Sequence, residues 1–261
     1  MAIIYALANQ KGGVGKTTST INLAAYLADA GMRVLLVDID PQSNATSGLG
    51  FNKYEVEQST YHLLLGNASA NDIIVRNEEA QLSVMPASPE LAGAEVELVN
   101  MMAREYRLRD ALEPIGADFD YILIDCPPSL SLLTINALTA ASHGVVIPVQ
   151  CEYLALEGLT QLSQTIQMVR QHLNRRLRIR GLVMTMYDAR TNLSRQVVEE
   201  VRKHYPGQVF RAIIPRNVRL SEAPSYGQPI SLYTPHSSGA LGYKVLAAEI
   251  IQGDMTKKGR R

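Results

Sequence analysis

Eight residues near the start of the chain, Lys11-Gly12-Gly13-Val14-Gly15-Lys16-Thr17-Thr18, carry the types needed to hold a phosphate chain. They follow an apolar run, Ala2–Ala8. Glycines let the backbone curl so that successive N–H groups converge on an anion. Lys16 can reach the outer phosphates, the Thr17 hydroxyl can ligate Mg²⁺ directly, and Thr18 completes the loop. A strict version of this pattern has Gly where this chain has Gln10. Lys11 is a second lysine where one cradle needs one.

Two acidic motifs end other apolar runs. Val37-Asp38-Ile39-Asp40-Pro41-Gln42 offers two carboxylates. Asp38 could hold a magnesium-bound water, and Asp40 could position a water that attacks phosphorus. Ile122-Leu123-Ile124-Asp125-Cys126-Pro127-Pro128-Ser129 places Asp125 after a buried strand, where it would hold Mg²⁺ through water. Acidic residues also end strands merely as turn formers. Their company with the cradle is what favours chemistry.

Short β-type runs must position these motifs. They are expected at Ile3–Ala8, Arg33–Val37, Leu82–Met85, Tyr121–Ile124, Gly144–Val149, Ile179–Met186 and Val209–Ile214. Helical spacing falls at Lys16–Ala30, Pro89–Leu112, Leu130–Ala141, Leu156–Asn174, Asn192–His204 and Ser238–Gln252. The alternation predicts a single α/β domain over residues 1–252, with a mostly parallel twisted sheet and helices on both faces. Residues 253–261 are expected to be a flexible basic tail. Ligands of such sheets bind beyond the carboxyl ends of the strands, where all three motifs lie.

The 261 residues balance 25 Lys/Arg against 25 Asp/Glu, but unevenly. Residues 1–169 hold 8 basic against 19 acidic side chains, and residues 170–219 hold 12 against 3. The basic segment is a candidate nucleic-acid footprint. Arg175, Arg176, Arg178 and Arg180 could equally form a solvated face. No apolar run is long enough to span a bilayer, and two cysteines make no disulfide framework. A reduced, cytoplasmic protein with no membrane attachment is expected.

The motifs at 11–18, 37–42 and 124–129 together resemble the deviant Walker A ATPases. Val149–Tyr153, Asp188–Asn192 and Ile214–Ser225 are similar to the chromosome- or plasmid-partitioning branch, ParA/Soj, whose fold is a P-loop NTPase. The resemblance implies an ATP hydrolase using Mg²⁺ that closes into a homodimer around two ATP molecules. Lys11 would cross to the partner subunit's ATP, and Asp40 would orient the hydrolytic water. Pro215 and Asn217 match the loop that holds adenine. Arg190 and Arg219 match arginines that contact double-stranded DNA without sequence preference, with Arg195, Arg202 and Lys203 as further candidates. The implied partner is a ParB-type centromere-binding protein that stimulates hydrolysis, and the implied location is the nucleoid.

Three other readings stay open on the sequence. A MinD-like membrane-cycling ATPase needs an amphipathic C-terminal helix, whereas Thr256–Arg261 has no apolar face. An iron–sulfur protein could draw four thiolates from Cys126 and Cys151 of two subunits. A structural module without catalysis is the third.

Overall fold

The computed structural model describes residues 1–153 and 155–258. Among the described residues, eight strands form one sheet: β1 (Ile3–Leu7), β2 (Val34–Asp38), β3 (Val75–Asn77), β4 (Leu82–Met85), β5 (Tyr121–Asp125), β6 (Gly144–Gln150), β7 (Ile179–Tyr187) and β8 (Val209–Pro215). Their order is β3-β4-β2-β5-β1-β6-β7-β8, parallel throughout except for β3 against β4. The first helices are α1 (Lys16–Asp29), α2 (Asn44–Gly48), α3 (Thr60–Leu65) and α4 (Ala70–Ile73). Then follow α5 (Leu91–Glu97), α6 (Arg107–Leu112), α7 (Leu132–Ala140) and α8 (Ala155–His172). The chain closes with α9 (Asn192–His204), α10 (Val218–Glu222), α11 (Ile230–Tyr233) and α12 (Ser238–Lys258).

Side chains alternate across the strands, and both faces of the sheet are buried. On β1, Ala6 packs into one core with Leu35, Ile122 and residues of α5 to α9, while Tyr5 and Leu7 enter the other core with α1 and α12. A continuous apolar strand is the expected signature of such a two-faced sheet, which is why these runs were readable. The expected single α/β architecture is the one observed.

β3 was not expected from the sequence. It is a three-residue edge strand with partly exposed side chains, too short to show a period. The expected helix over Pro89–Leu112 is divided. It ends as α5, runs through 3₁₀ turns at Leu98–Asn100 and Arg104–Tyr106, and resumes as α6. The reason is tertiary. Asn136 of α7 donates to the Arg104 carbonyl at 2.8 Å and accepts from the Leu108 N–H at 3.1 Å, satisfying backbone groups that the break exposes.

The boundary at residue 252 needs correction. α12 continues to Lys258, and Asp254 is buried against the sheet. Its carboxylate accepts from Tyr5 Oη at 2.8 Å, from Tyr121 Oη at 3.2 Å and from Arg180 Nε at 3.2 Å. These partners on β1, β5 and β7 hold the end of the helix. Residues 259–261 of the expected tail lie outside the described residues. Arg180 is likewise neither a solvated charge nor a DNA contact, because its side chain is only 10% exposed.

Removing one partner of a buried ion pair strands the other. Asp254→Ala should therefore cost about 3–5 kcal/mol in urea denaturation. Deletion of residues 253–261 should be as damaging. A loss below about 1 kcal/mol in both would show that the end of α12 is a dispensable tail.

Candidate functional site

β1, β2 and β5 bring their carboxyl ends together. In register, Leu7 faces Asp125, and Asp125 faces Asp38 on its other side. The loop after β1 turns back into α1 through Gly13 at φ 74° and Gly15 at φ 85°, left-handed conformations that suit glycine. A Cβ at Gly12 or Gly13 would meet nothing within 4 Å, so open space borders the loop at both positions. Asn9 braces it by accepting from the Lys11 N–H at 3.1 Å and donating to the Pro148 carbonyl at 2.7 Å. Thr185 of β7 braces the far side by donating to the Val14 carbonyl at 2.8 Å.

The two lysines differ in environment. Lys16 is buried, and its ammonium donates to the Lys11 carbonyl at 3.1 Å. Burial makes it release its proton more readily than an ordinary lysine, and the nearby Asp125 carboxylate opposes that effect. Lys11 is partly exposed and forms an ion pair with Glu152 at 2.8 Å, just beyond β6. Two parts of one short loop thus point a positive charge in different directions.

Asp125 accepts from Thr17 Oγ1 at 2.8 Å and from Thr20 Oγ1 at 2.7 Å. Asp38 accepts from the Thr46 N–H at 2.8 Å, from Thr46 Oγ1 at 2.7 Å and from the Asp40 N–H at 3.1 Å. Both carboxyls are cut off from water. Burial pushes Asp125 up to about 8, helped by the charge of Asp38. Burial also pushes Asp38 up to about 6, although the hydrogen bonds from Thr46 work against it. Such a pair has a strong demand for positive charge, which a proton or a divalent cation can meet. Asp125, Asp38 and the Thr17 hydroxyl are hard oxygen donors of the kind Mg²⁺ prefers. Asp40 is buried beside them, and its carboxylate is fixed by the Gln42 N–H at 2.9 Å.

A cavity of about 230 Å³ opens on the other side of the loop. Pro215, Asn217, Thr18, Met186 and Tyr243 are in its wall, so the two expected base-holding residues lie next to the cradle. Asn217 is already occupied at both ends of its amide. Its Oδ1 accepts from the Arg219 N–H at 2.9 Å and caps α10, and its Nδ2 donates to Ser238 Oγ at 3.0 Å. Direct pairing with adenine would require it to leave these partners.

The basic segment divides across the sheet. Arg175 and Arg176 lie before β7 and line a cavity of about 500 Å³ with Met1 and Ile4, at the amino edge away from the cradle. Arg190 and Arg219 follow the carboxyl ends of β7 and β8. Neither is a bare charge: Arg190 forms a two-pronged pair with Asp188 at 2.7 and 2.9 Å, and Arg219 bonds Glu222 at 2.8 Å. Arg195, Arg202 and Lys203 are exposed on α9, where Lys203 lies 3.9 Å from Glu200. Cys126 and Cys151 are both buried side chains, and burial raises both thiols. Sequence reasoning missed Asn9, Thr20, Thr46 and Thr185. Only Thr20 had a local signal, since it lies one helical turn after Lys16.

A family model for an AAA domain matches residues 1–179. The chain is 60% identical over 250 residues to the sporulation initiation inhibitor protein Soj of Bacillus subtilis (strain 168), covering 96% of this chain and 98% of that one. It is 55% identical over 258 residues to the chromosome partitioning protein ParA of Myxococcus xanthus, covering 99% and 91%. Among solved structures, a cobyrinic acid a,c-diamide synthase from Mycobacterium smegmatis with bound ADP and magnesium has a TM-score of 0.85 at 40% identity, over 97% of this chain and 95% of that one. The septum site-determining protein MinD of Pyrococcus horikoshii, complexed with Mg-ADP, has a TM-score of 0.79 at 25% identity, over 96% of each chain. Similarity of this depth along nearly the whole length settles the family: the chain belongs to the Soj/ParA group of chromosome-partitioning ATPases.

Proposed function

We propose that the protein hydrolyses ATP, that two ATP-bound copies close on each other, and that the closed dimer holds double-stranded DNA irrespective of sequence. Hydrolysis, stimulated by a ParB-type partner, would then release the DNA. The observation that supports this reading is the different placement of the two lysines. Lys16 is buried within its own loop, whereas Lys11 stands at the rim, held by a carboxylate that a phosphate can replace.

Phosphoryl transfer to water needs positioning and charge stabilisation more than covalent help from the protein. The amides of Gly12, Gly13, Val14 and Gly15 and the Lys16 ammonium would hold the phosphates. Thr17 and Asp125 would hold Mg²⁺, with Asp38 adding charge and fixing the following loop through Thr46 and Asp40. Mg²⁺ supplies neutralisation of the phosphate oxygens. Asp40 would accept a hydrogen bond from the attacking water and hold it in line with phosphorus. Lys11 of each copy would exchange Glu152 for a phosphate across the interface.

DNA binding by a single copy should be weak, because Arg190 and Arg219 must first give up Asp188 and Glu222. Two copies joined by ATP present the arginines together, so the second set binds at high effective concentration. ATP thereby controls DNA contact without touching it.

Asp40→Ala should lower ATP turnover by about 10²- to 10⁴-fold while leaving ATP binding intact. With ATP the variant should run as a stable dimer in size-exclusion chromatography with light scattering, and with ADP as a monomer. The same mass in both nucleotides would sink the dimer switch.

Arg190→Ala and Arg219→Ala should each weaken DNA retention by the ATP-bound protein. Each removes one phosphate contact per copy, so the slope of log affinity against log salt should fall by about 2 per dimer. An unchanged slope with unchanged affinity would reject their role.

A further inference from the structure

α6, α7 and α8 end together at the amino edge of the sheet, around the cavity of about 500 Å³. That volume is in the range of small-ligand sites, about 300–1,000 Å³. The cavity lies at the end of β1 opposite the cradle, where Ile4 forms part of its wall. Leu112, Ala140 and Leu173, from the ends of the three helices, add aliphatic surface. None of the lining residues is aromatic.

The neutral polar groups of the wall are already engaged. Thr139 Oγ1 donates to the Ile135 carbonyl at 2.7 Å, and Ser142 Oγ bonds His143 Nδ1 at 2.9 Å. Asn174 Nδ2 donates to the Leu138 and Ala141 carbonyls at 3.0 and 3.2 Å, and its Oδ1 accepts from the Arg176 N–H at 3.1 Å. Asn174 thus ties off carbonyls at the end of α7 that would otherwise present negative charge. The guanidiniums differ among themselves. Arg109 pairs with Asp110 at 2.8 Å and lies over the Tyr106 ring. Arg175 and Arg176 are exposed, and among the described residues neither side chain has an ion pair or a hydrogen bond. Glu113 is the carboxylate in the wall, against these three arginines.

We propose that this cavity binds a chain-like aliphatic anion, an acyl chain ending in a carboxylate or phosphate. The chain lies along Ile4, Leu112, Ala140 and Leu173, and the head meets Arg175 and Arg176, whose planar forks match either anion. The wall selects this class. A nucleotide or a sugar needs an aromatic face or uncommitted hydrogen-bonding groups for its ring, and the wall offers neither. An aliphatic cation would meet two unneutralised guanidiniums. The site is at the opposite edge of the sheet from the cradle, and the proposal does not rest on ATP or DNA binding.

The test is equilibrium dialysis of labelled decanoate, below its micelle concentration, against the full chain. One decanoate should bind per chain, and neither acetate nor decyltrimethylammonium should displace it. Each buried CH₂ is worth about fourfold in affinity, so octanoate should bind about tenfold more weakly than decanoate. Arg175→Gln/Arg176→Gln removes the charge at exposed positions without partners, and should weaken binding by about tenfold with thermal melting unchanged. Leu173→Gln should weaken it too; if that variant melts early, the arginine variant decides. Saturating Mg²⁺·ADP should leave decanoate binding as it is. Absence of saturable binding at millimolar decanoate, equal binding by the arginine variant, or displacement by ADP overturns the proposal. So does arginine-dependent flotation with phosphatidylglycerol vesicles without binding of free decanoate, which would give the arginines to a bilayer surface.

Discussion

Asp38 and Asp125 end neighbouring strands in register, and both carboxyls are shielded from water. Their burial, with the charge of Asp38 adding to it at Asp125, is the constraint around which the site is organised. Each is surrounded by donors supplied from elsewhere in the chain: Thr17 and Thr20 from α1 for Asp125, and Thr46 from α2 for Asp38. Lys16 contributes the nearby positive charge but is itself pressed toward neutrality by burial. The hydrogen bonds hold the two acids in place without cancelling the demand for a cation. Filling that demand is what couples the cradle, the loop after β2 and the strand ends into one unit.

The same construction explains how an event at the phosphates can be felt at a distance. Asp38 holds both the Asp40 amide and the start of α2, so a change of charge at Asp38 acts on the residue that would orient water. On the other side, β7 braces the cradle through Thr185, and its last residue, Tyr187, accepts from the Arg216 N–H at 2.9 Å. Arg216 lines the cavity beside Pro215 and Asn217, three residues before Arg219. The cavity lined by Pro215 and Asn217 and the arginines at the carboxyl edge are therefore built on the same two strand ends, β7 and β8.

The parts of this arrangement that were legible in the sequence are those where one local segment does one job. The cradle is contiguous, and its glycines and lysines are meaningful without a partner. The buried parallel strands announce themselves because they are apolar on both faces. What could not be read depends on side chains meeting across the fold. Asn136 divides an apparently continuous helix from 28 and 32 residues away in sequence, beyond the reach of local pattern. Asp254 looks like part of a polar tail until Tyr5, Tyr121 and Arg180 are brought to it. Arg180 looks like its basic neighbours for the same reason. The basic segment reads as one patch in sequence, but β7 carries it from the amino edge of the sheet to the carboxyl edge, so that Arg175 and Arg190 lie at opposite ends. Asn217 shows a further limit: its type suits adenine, yet its amide is engaged in capping α10.

The central physical claim is that the Asp38–Asp125 pair holds a proton near neutral pH that a divalent cation replaces. Burial holds both carboxyls above the usual carboxylate range while the threonine hydroxyls fix them side by side, so cation binding is expected to release a proton, chiefly from Asp125. Isothermal titration of Mg²⁺·ADP into the nucleotide-free protein, repeated in buffers of different ionisation enthalpy, measures that release directly. The account predicts a net proton release for the wild type that disappears in Asp125→Asn. A binding heat that does not vary with buffer in the wild type would contradict it.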